Sequence, residues 1–180
     1  RTFVVFETTK RYLPTQSGDL VIPGPLLRFA YATRFDENFV TGRVPADRHD
    51  AFAFGRRLTL HVEPLPAANR PDEFTGAVGR FTIHAAADPR SLSAGESLKL
   101  TLRIEGDGNL EFFEPPRLDS IVGFHVFGKI ESTTAAVRTI TYDVAPLSDA
   151  PTEVPAIPFV FFDTREPASY RVVTTRAIQF

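Results

Sequence analysis

The stretch Glu63–Asp88, EPLPAANRPDEFTGAVGRFTIHAAAD, decides how this chain is read. Pro64, Pro66 and Pro71 each remove a backbone donor and fix φ, and each biases the residue before it toward extended geometry. Residues 64–75 therefore read as a semi-rigid linker. Arg80-Phe81-Thr82-Ile83-His84-Ala85 then alternates apolar with polar, which is the signature of a strand. A stiff linker that runs straight into a strand marks the start of a domain over residues 76–180.

C-terminal to the linker, strand signals recur between turn signals. They cover Gly79–Ala86, Glu96–Ile104, Glu111–Leu118, Gly123–Lys129, Arg138–Val144, Glu153–Phe162 and Tyr170–Thr175. Leu98, Leu100, Leu102 and Ile104 share one phase and predict a core face. Gly106-Asp107-Gly108-Asn109 predicts a turn. No window of about 11 residues keeps a helical period. This pattern predicts a complete immunoglobulin-like β-sandwich.

N-terminal to the linker, Arg1–Glu7, Leu26–Tyr31 and Arg57–Val62 read as strands, with Pro23 and Pro25 confining the entry of the second to an edge or bulge. Thr8–Asp19 reads as a loop, and Thr33–Ala53 as a long, polar, irregular one. The order of elements resembles that of the second half. Arg138–Val144 parallels Arg1–Glu7, Glu153–Phe162 parallels Val21–Tyr31, and Tyr170–Thr175 stands where Arg57–Val62 stands. The second copy has strands ahead of Arg138 that the first lacks. The fold class expected is thus all-β, with tandem immunoglobulin-like β-sandwich modules, the first truncated at its N-terminus. Residues 1–63 would be the C-terminal part of that first module. Three strands are close to the minimum for independent stability, so this part should recruit cover, including a dimer through the truncated module.

Composition narrows the function. The chain has 180 residues, 43% of them hydrophobic, which suits a globular protein of one or two domains. A net charge of −2 leaves no electrostatic footprint for nucleic acid. With no cysteine, disulfides, thiolate metal sites and cysteine nucleophiles are excluded. No apolar run approaches the ~18 residues of a membrane span. Methionine is absent and the sequence begins at Arg1, as expected of an excised or processed piece.

No chemical constellation stands out. Asp36, Glu37, Asp47, Arg48, His49 and Asp50 offer ligands for a divalent ion but lack calcium-loop spacing, and read as a solvated loop of mixed charge. Gly106–Asn109 could hold calcium or present a polar tip, but reads as a turn whose Gly and Asn accept positive φ. His49, His61, His84 and His125 are scattered, and no G-x-S-x-G sequence occurs. Glu111 and Glu114 flank Phe112 and Phe113, which read as core. Phenylalanine is abundant, with a run at Phe159-Val160-Phe161-Phe162, and tryptophan is absent, which favours core packing over sugar platforms. Lysine is confined to Lys10, Lys99 and Lys129, so most positive charge is arginine, which suits protein interfaces. Catalytic, cofactor and metal residues are expected to be none, and the chain is expected not to be an enzyme.

Residues Pro64 to Pro89, PLPAANRPDEFTGAVGRFTIHAAADP, followed by AGESLKLTLRIEGDGNL, resemble the bacterial aerotolerance or oxygen-tolerance family of BatD-like proteins. The resemblance covers roughly residues 60 to 165. It implies an exported protein with a signal peptide, a periplasmic region and an inner-membrane anchor, both targeting segments lying outside this sequence. It also implies a role in oxygen or stress tolerance beside membrane proteins with von Willebrand A-type domains and a MoxR-type ATPase. The function expected is a non-enzymatic periplasmic protein-interaction module. The alternative is a carbohydrate- or matrix-binding adhesion module of an extracellular protein.

Overall fold

Period-two alternation dominates the sequence, and strands are the only regular elements among the described residues. The computed structural model describes residues 5, 7–88, 96–118, 123–148 and 153–179. The chain divides into two compact units, Arg1–Leu65 and Pro66–Phe180.

The first unit is built as one antiparallel ribbon. β1 (Gly18–Ile22) pairs with β6 (Leu58–Val62), β2 (Leu26–Tyr31) with β5 (His49–Phe54), and β3 (Phe35–Asn38) with β4 (Gly42–Pro45). Gly18 faces Val62, Leu26 faces Phe54 and Asn38 faces Gly42, so residue n faces residue 80 − n along the whole length. Two interruptions leave this register intact because each has the same length on both strands. Residues 23–25 lie opposite 55–57, and 32–34 lie opposite 46–48. Pro23 and Pro25 supply no ladder donors at the first interruption, and the chain is held there by the Gly55 amide donating to the Pro25 carbonyl at 2.8 Å. At the tip, the Asn38 side-chain oxygen accepts from the amides of Val40 and Thr41 at 2.9 and 3.2 Å.

One expectation for this unit changes, and another lies mainly outside the described residues. Thr33–Ala53 is not an irregular loop, because it contains β3, β4 and most of β5. Charged residues such as Asp36, Glu37 and Arg43 sit on an exposed two-stranded ribbon, where neither face need be apolar, so alternation vanishes while pairing survives. The strand expected over Arg1–Glu7 falls mainly on residues 1–4 and 6, outside the described residues. Val5 and Glu7 are not in a strand.

The second unit is a sandwich. Its larger sheet contains β7 (Gly79–Asp88), β8 (Leu98–Gly108), β9 (Phe124–Thr133) and β10 (Val137–Pro146), in the spatial order β7-β8-β10-β9. The facing layer is again a ribbon. β11 (Glu153–Val154) pairs with β14 (Ile178–Gln179), and β12 (Pro158–Asp163) pairs with β13 (Ser169–Thr174). Glu153 faces Gln179 and Asp163 faces Ser169, so residue n faces residue 332 − n, across an interruption of residues 155–157 opposite 175–177. A parallel bridge between Val78 and Phe162 joins the segment before β7 to β12.

The core explains the sandwich. Leu98, Leu100, Leu102 and Ile104 of β8 point inward as their phase predicts, with Phe81 and Ile83 of β7 and Ile140, Tyr142 and Val144 of β10. Phe159 and Phe161 of β12 close this core from the other layer, and Phe81 meets both rings edge-on at 5.8 and 5.6 Å. Val160 and Phe162 point the opposite way and are also buried, under Phe74 and Tyr170. That double burial accounts for the unbroken Phe-Val-Phe-Phe run. Each such side chain contributes about 1.5–3 kcal/mol of transfer free energy. The chain is all-β, with the immunoglobulin-like sandwich expected of it.

Two expectations for the second unit also change. Gly106–Asn109 is not a turn, because β8 runs through Gly108 and pairs with Gly79. Gly106 has φ +157°, and a Cβ there would lie 1.9 Å from the Arg80 carbonyl oxygen. Glycine at this position lets two strands approach beneath the Phe81 ring. Glu111–Leu118 is not a strand but a turn followed by an extended segment, in which Phe113 and Leu118 are buried and Phe112 is exposed, contrary to its reading as core. Pro115 and Pro116 deny that segment ladder donors.

The two ribbons correspond more closely than their sequences suggest. Ile22 and Val154 both end a strand, three residues follow without pairing, and Leu26 and Pro158 both begin the next strand. The returning strands correct the sequence alignment. β13, which contains most of Tyr170–Thr175, matches His49–Phe54, while β14 matches the strand within Arg57–Val62.

Candidate functional site

Among the described residues, three gatherings of charged side chains are the most tightly bonded. The first is the second interruption of the N-terminal ribbon. Asp47 accepts the Thr33 amide at 2.8 Å, the Thr33 hydroxyl at 2.6 Å and the Arg34 amide at 3.0 Å, and lies 3.0 Å from His49 Nε2. The Arg34 amide bond and the Thr33 hydroxyl hold the Asp47 carboxyl well below the usual carboxylate range, against the opposing effect of its desolvation. His49 in turn stacks on Tyr31, with ring centroids 5.4 Å apart. This is an aspartate that satisfies backbone donors where the ladder is broken. The acids that the sequence brought near it disperse. Asp36 and Glu37 lie on β3 opposite Val44 and Arg43, and Asp50 pairs with Arg28 and Arg48 at 3.5 and 3.2 Å.

The second place is the end of β12. Asp163 has a fully buried side chain, accepts Arg165 Nε at 3.0 Å, Arg165 Nη2 at 2.5 Å and the Arg165 amide at 3.1 Å, and forms an ion pair with Arg171 Nε at 3.0 Å. The Arg165 side chain is the main cause of a carboxyl held well below its ordinary range. The third is Arg138, buried on the core phase of β10. Its Nη1 donates to the carbonyls of Leu110 and Phe113 at 3.0 and 2.6 Å, its Nε and Nη2 donate to Glu131 at 3.2 and 2.5 Å, and its guanidinium lies 4.9 Å from the Phe113 ring centre. Burial pushes Glu131 upward, but hydrogen bonds from Lys129 and Arg138 outweigh it and leave the carboxyl below its ordinary value. Both clusters are arginine clamps that fix chain segments, bidentate from Arg165 to Asp163 and forked onto the single oxygen Oε2 of Glu131 from Arg138.

The remaining candidates do not converge. His61 meets Asp19 at 2.8 Å on an exposed pair of strands. His84 lies on the solvent side of β7, and His125 meets Phe127 edge-on at 4.8 Å. Asp107 pairs with Arg80 at 3.7 Å, while Asn109 donates to the Gly76 carbonyl at 2.8 Å and accepts the Val78 amide at 2.7 Å. Asn109 thereby fastens the segment before β7 to the sandwich. The Glu114 amide donates to the Thr75 carbonyl at 3.3 Å and its carbonyl accepts the Thr75 hydroxyl at 2.7 Å, and Glu114 lines a groove of about 590 Å³ with Glu73, Arg117 and Ile157. Among the described residues no three histidine or acidic side chains are placed to hold a metal.

A feature that the sequence reading missed is the outer edge of the larger sheet. Among the described strands, β9 has β10 on one side and no neighbour on the other. Val126 faces Val144, but Gly128 faces Asp143, so Phe127 is an extra residue bulged out of the ladder. Phe127 is 63% exposed and Ile130 is 74% exposed. Bulges on edge strands re-aim side chains and limit pairing. The register defines this one, and its trace in the sequence, the adjacent apolar pair Val126-Phe127, is too short to show a bulge by itself. Arg138, by contrast, was readable as an arginine on the same phase as Ile140, Tyr142 and Val144.

A family model described as BatD DUF11 like domain matches residues 85–180. The chain belongs to the BatD family. The match takes in the last four residues of β7 and all later strands, so the greater part of the sandwich, with its clamps, its C-terminal ribbon and the β9 edge, lies within the family domain. No curated protein and no solved structure matches the chain.

Proposed function

We propose that this chain is a non-enzymatic interaction module of an envelope protein involved in oxygen or stress tolerance. It lies in the periplasm and is held at the inner membrane by a segment outside this sequence. Its partners are envelope proteins, including membrane proteins with von Willebrand A-type domains that work with a MoxR-type ATPase. The observation that carries this reading is the open edge of β9 within the family domain. From Gly128 to Thr133 the edge is free to accept an added strand, and Phe127 and Ile130 offer apolar anchors beside it. The bulge and Lys129 guard the same edge against indiscriminate pairing. The charged clusters supply clamps for such a scaffold and leave the edge as its working surface.

A photo-crosslinking side chain at Ile130, in the membrane-anchored protein in cells, tests the reading. Capture of an envelope membrane protein from the periplasmic side, lost when Phe127→Asp is added, is the expected result. Capture of no protein, or of cytoplasmic proteins alone, would overturn it.

A further inference from the structure

We propose that the β9 edge pairs with the same edge of a second copy of this chain, antiparallel about a two-fold axis at Ile130, so that Lys129 of each copy faces Glu131 of the other. The proposal rests on the reading of β9 as an open working edge, and it names the strand whose charges fit that edge.

Geometry and charge together select the register. Along a strand, successive residues direct their amide and carbonyl groups alternately to one side and the other. Facing residues of a ladder must match in this respect, so a two-fold axis between two copies of one strand passes through a residue, not between residues. The bulge at Phe127 ends the regular run at one end and Thr133 ends the strand at the other. The axis therefore falls within residues 128–133. At Lys129 it would set lysine against lysine, and at Glu131 carboxylate against carboxylate. At Gly128 it would set Lys129 against the bulge, and at Ser132 or Thr133 it would leave Lys129 facing no residue of the strand. At Ile130 it sets Lys129 against Glu131 twice. Opposite charges directly across a ladder stabilise it, and like charges oppose it.

The two faces of β9 fit the same register. Lys129 and Glu131 lie on the face shared with Tyr142 and Ile140, and Ile130 lies on the other face with Thr141. Ile130 is 74% exposed in the single chain and would be covered by its own copy. Glu131 already holds Arg138 on Oε2, with Lys129 of its own chain 2.7 Å from Oε1. A facing lysine thus joins an existing ion-pair network. The charge order favours a second copy over an unrelated strand. A strand that matches this edge must read basic, apolar, acidic from N to C, and Lys129-Ile130-Glu131 is itself that sequence. A lysine that opposes strands without a facing carboxylate admits this one.

The chain has no cysteine, so an introduced thiol reports on one position. Ile130→Cys, Gly128→Cys and Ser132→Cys are made in the 180-residue chain. All three sites are exposed, and a Cβ at Gly128 meets nothing within 4 Å. In the proposed register position 130 faces itself and 128 faces 132, whereas 128 and 132 each lie about 13 Å along the strand from their own copies. On mild oxidation Ile130→Cys is expected to form a disulfide-linked dimer roughly tenfold or more faster than either other variant alone. Gly128→Cys mixed with Ser132→Cys should form the mixed dimer. Light scattering of the unaltered chain should show its mass rising toward a dimer with concentration, and Lys129→Glu should abolish the rise. A monomer at all concentrations, or equal oxidation rates for the three single variants, would overturn the proposal. A dimer that forms no disulfide at position 130 would also overturn it, since the copies would then meet elsewhere. A monomer that still captures a different envelope protein through Ile130 would overturn self-pairing alone and leave the wider role of the edge standing.

Discussion

At the scale of single residues, this protein spends its few buried charges on fastening chain segments. Arg138 shows the logic. An arginine on the apolar phase of a core strand is tolerated only when all its donors find acceptors, and here they reach two carbonyls of the loop after β8 and the carboxylate of Glu131. Arg138→Leu keeps much of the apolar stem but leaves those acceptors without their donor, and is expected to cost about 3 kcal/mol by urea unfolding. Arg138→Lys should recover little, because one ammonium cannot reproduce the planar fork. Full recovery by lysine would show that charge, not geometry, holds the loop. Leu102, fully buried in β8, gives the apolar comparison. Leu102→Ala should cost about 2–5 kcal/mol, and a smaller loss would mean the core collapses onto the space.

Elements in this chain are set by pairing as much as by pattern, and that decided what the sequence could reveal. Where one face is buried, alternation was legible, and β7, β8, β10, β12 and β13 lie close to their expected places. The solvated ribbon hid β3, β4 and β5, because exposure on both faces erases the period that reveals a strand. Gly106–Asn109 misled for the opposite reason. Its glycines serve close strand approach under Phe81, which composition cannot distinguish from a turn. The same distinction yields a prediction at two other glycines. A Cβ on Gly24 would lie 2.1 Å from the Gly55 carbonyl oxygen across the ribbon, while one on Gly128 meets nothing within 4 Å. Gly24→Ala should therefore lower hydrogen-exchange protection in β1 and β6 by about 1–3 kcal/mol of opening free energy. Gly128→Ala should stay within about 0.5 kcal/mol. Equal effects at the two sites would show that the first interruption yields as easily as an open edge. The candidate site was hidden for a further reason, since a bulge at Phe127 is a property of two strands in register and leaves on one only the adjacent apolar pair Val126-Phe127.

For the whole molecule, a net charge of −2 makes global repulsion small near neutrality, so acid stability depends on individual carboxyls. Among the described residues three are held below their ordinary range: Asp163 chiefly by Arg165, Asp47 by the Arg34 amide and the Thr33 hydroxyl, and Glu131 by Lys129 and Arg138 against its burial. A carboxyl lowered in the folded state contributes stability that is complete above its unfolded pKa, about 3.9 for Asp and 4.3 for Glu. That contribution is lost as pH falls toward the lower folded value, because the unfolded chain takes up the proton first. These groups should therefore leave stability flat from about pH 6 to 8 and make it fall steeply below about pH 4. Asp163→Asn tests the assignment. The variant should be less stable than the parent at pH 7, because Arg165 and Arg171 lose their anion. The difference should shrink as the pH is lowered below about 4, where the parent loses the same contribution. Urea midpoints for both proteins across that range decide it. Parallel curves, with a constant gap down to acid pH, would mean that Asp163 acts through its hydrogen-bond geometry alone and that the acid sensitivity of the fold lies with other carboxyls.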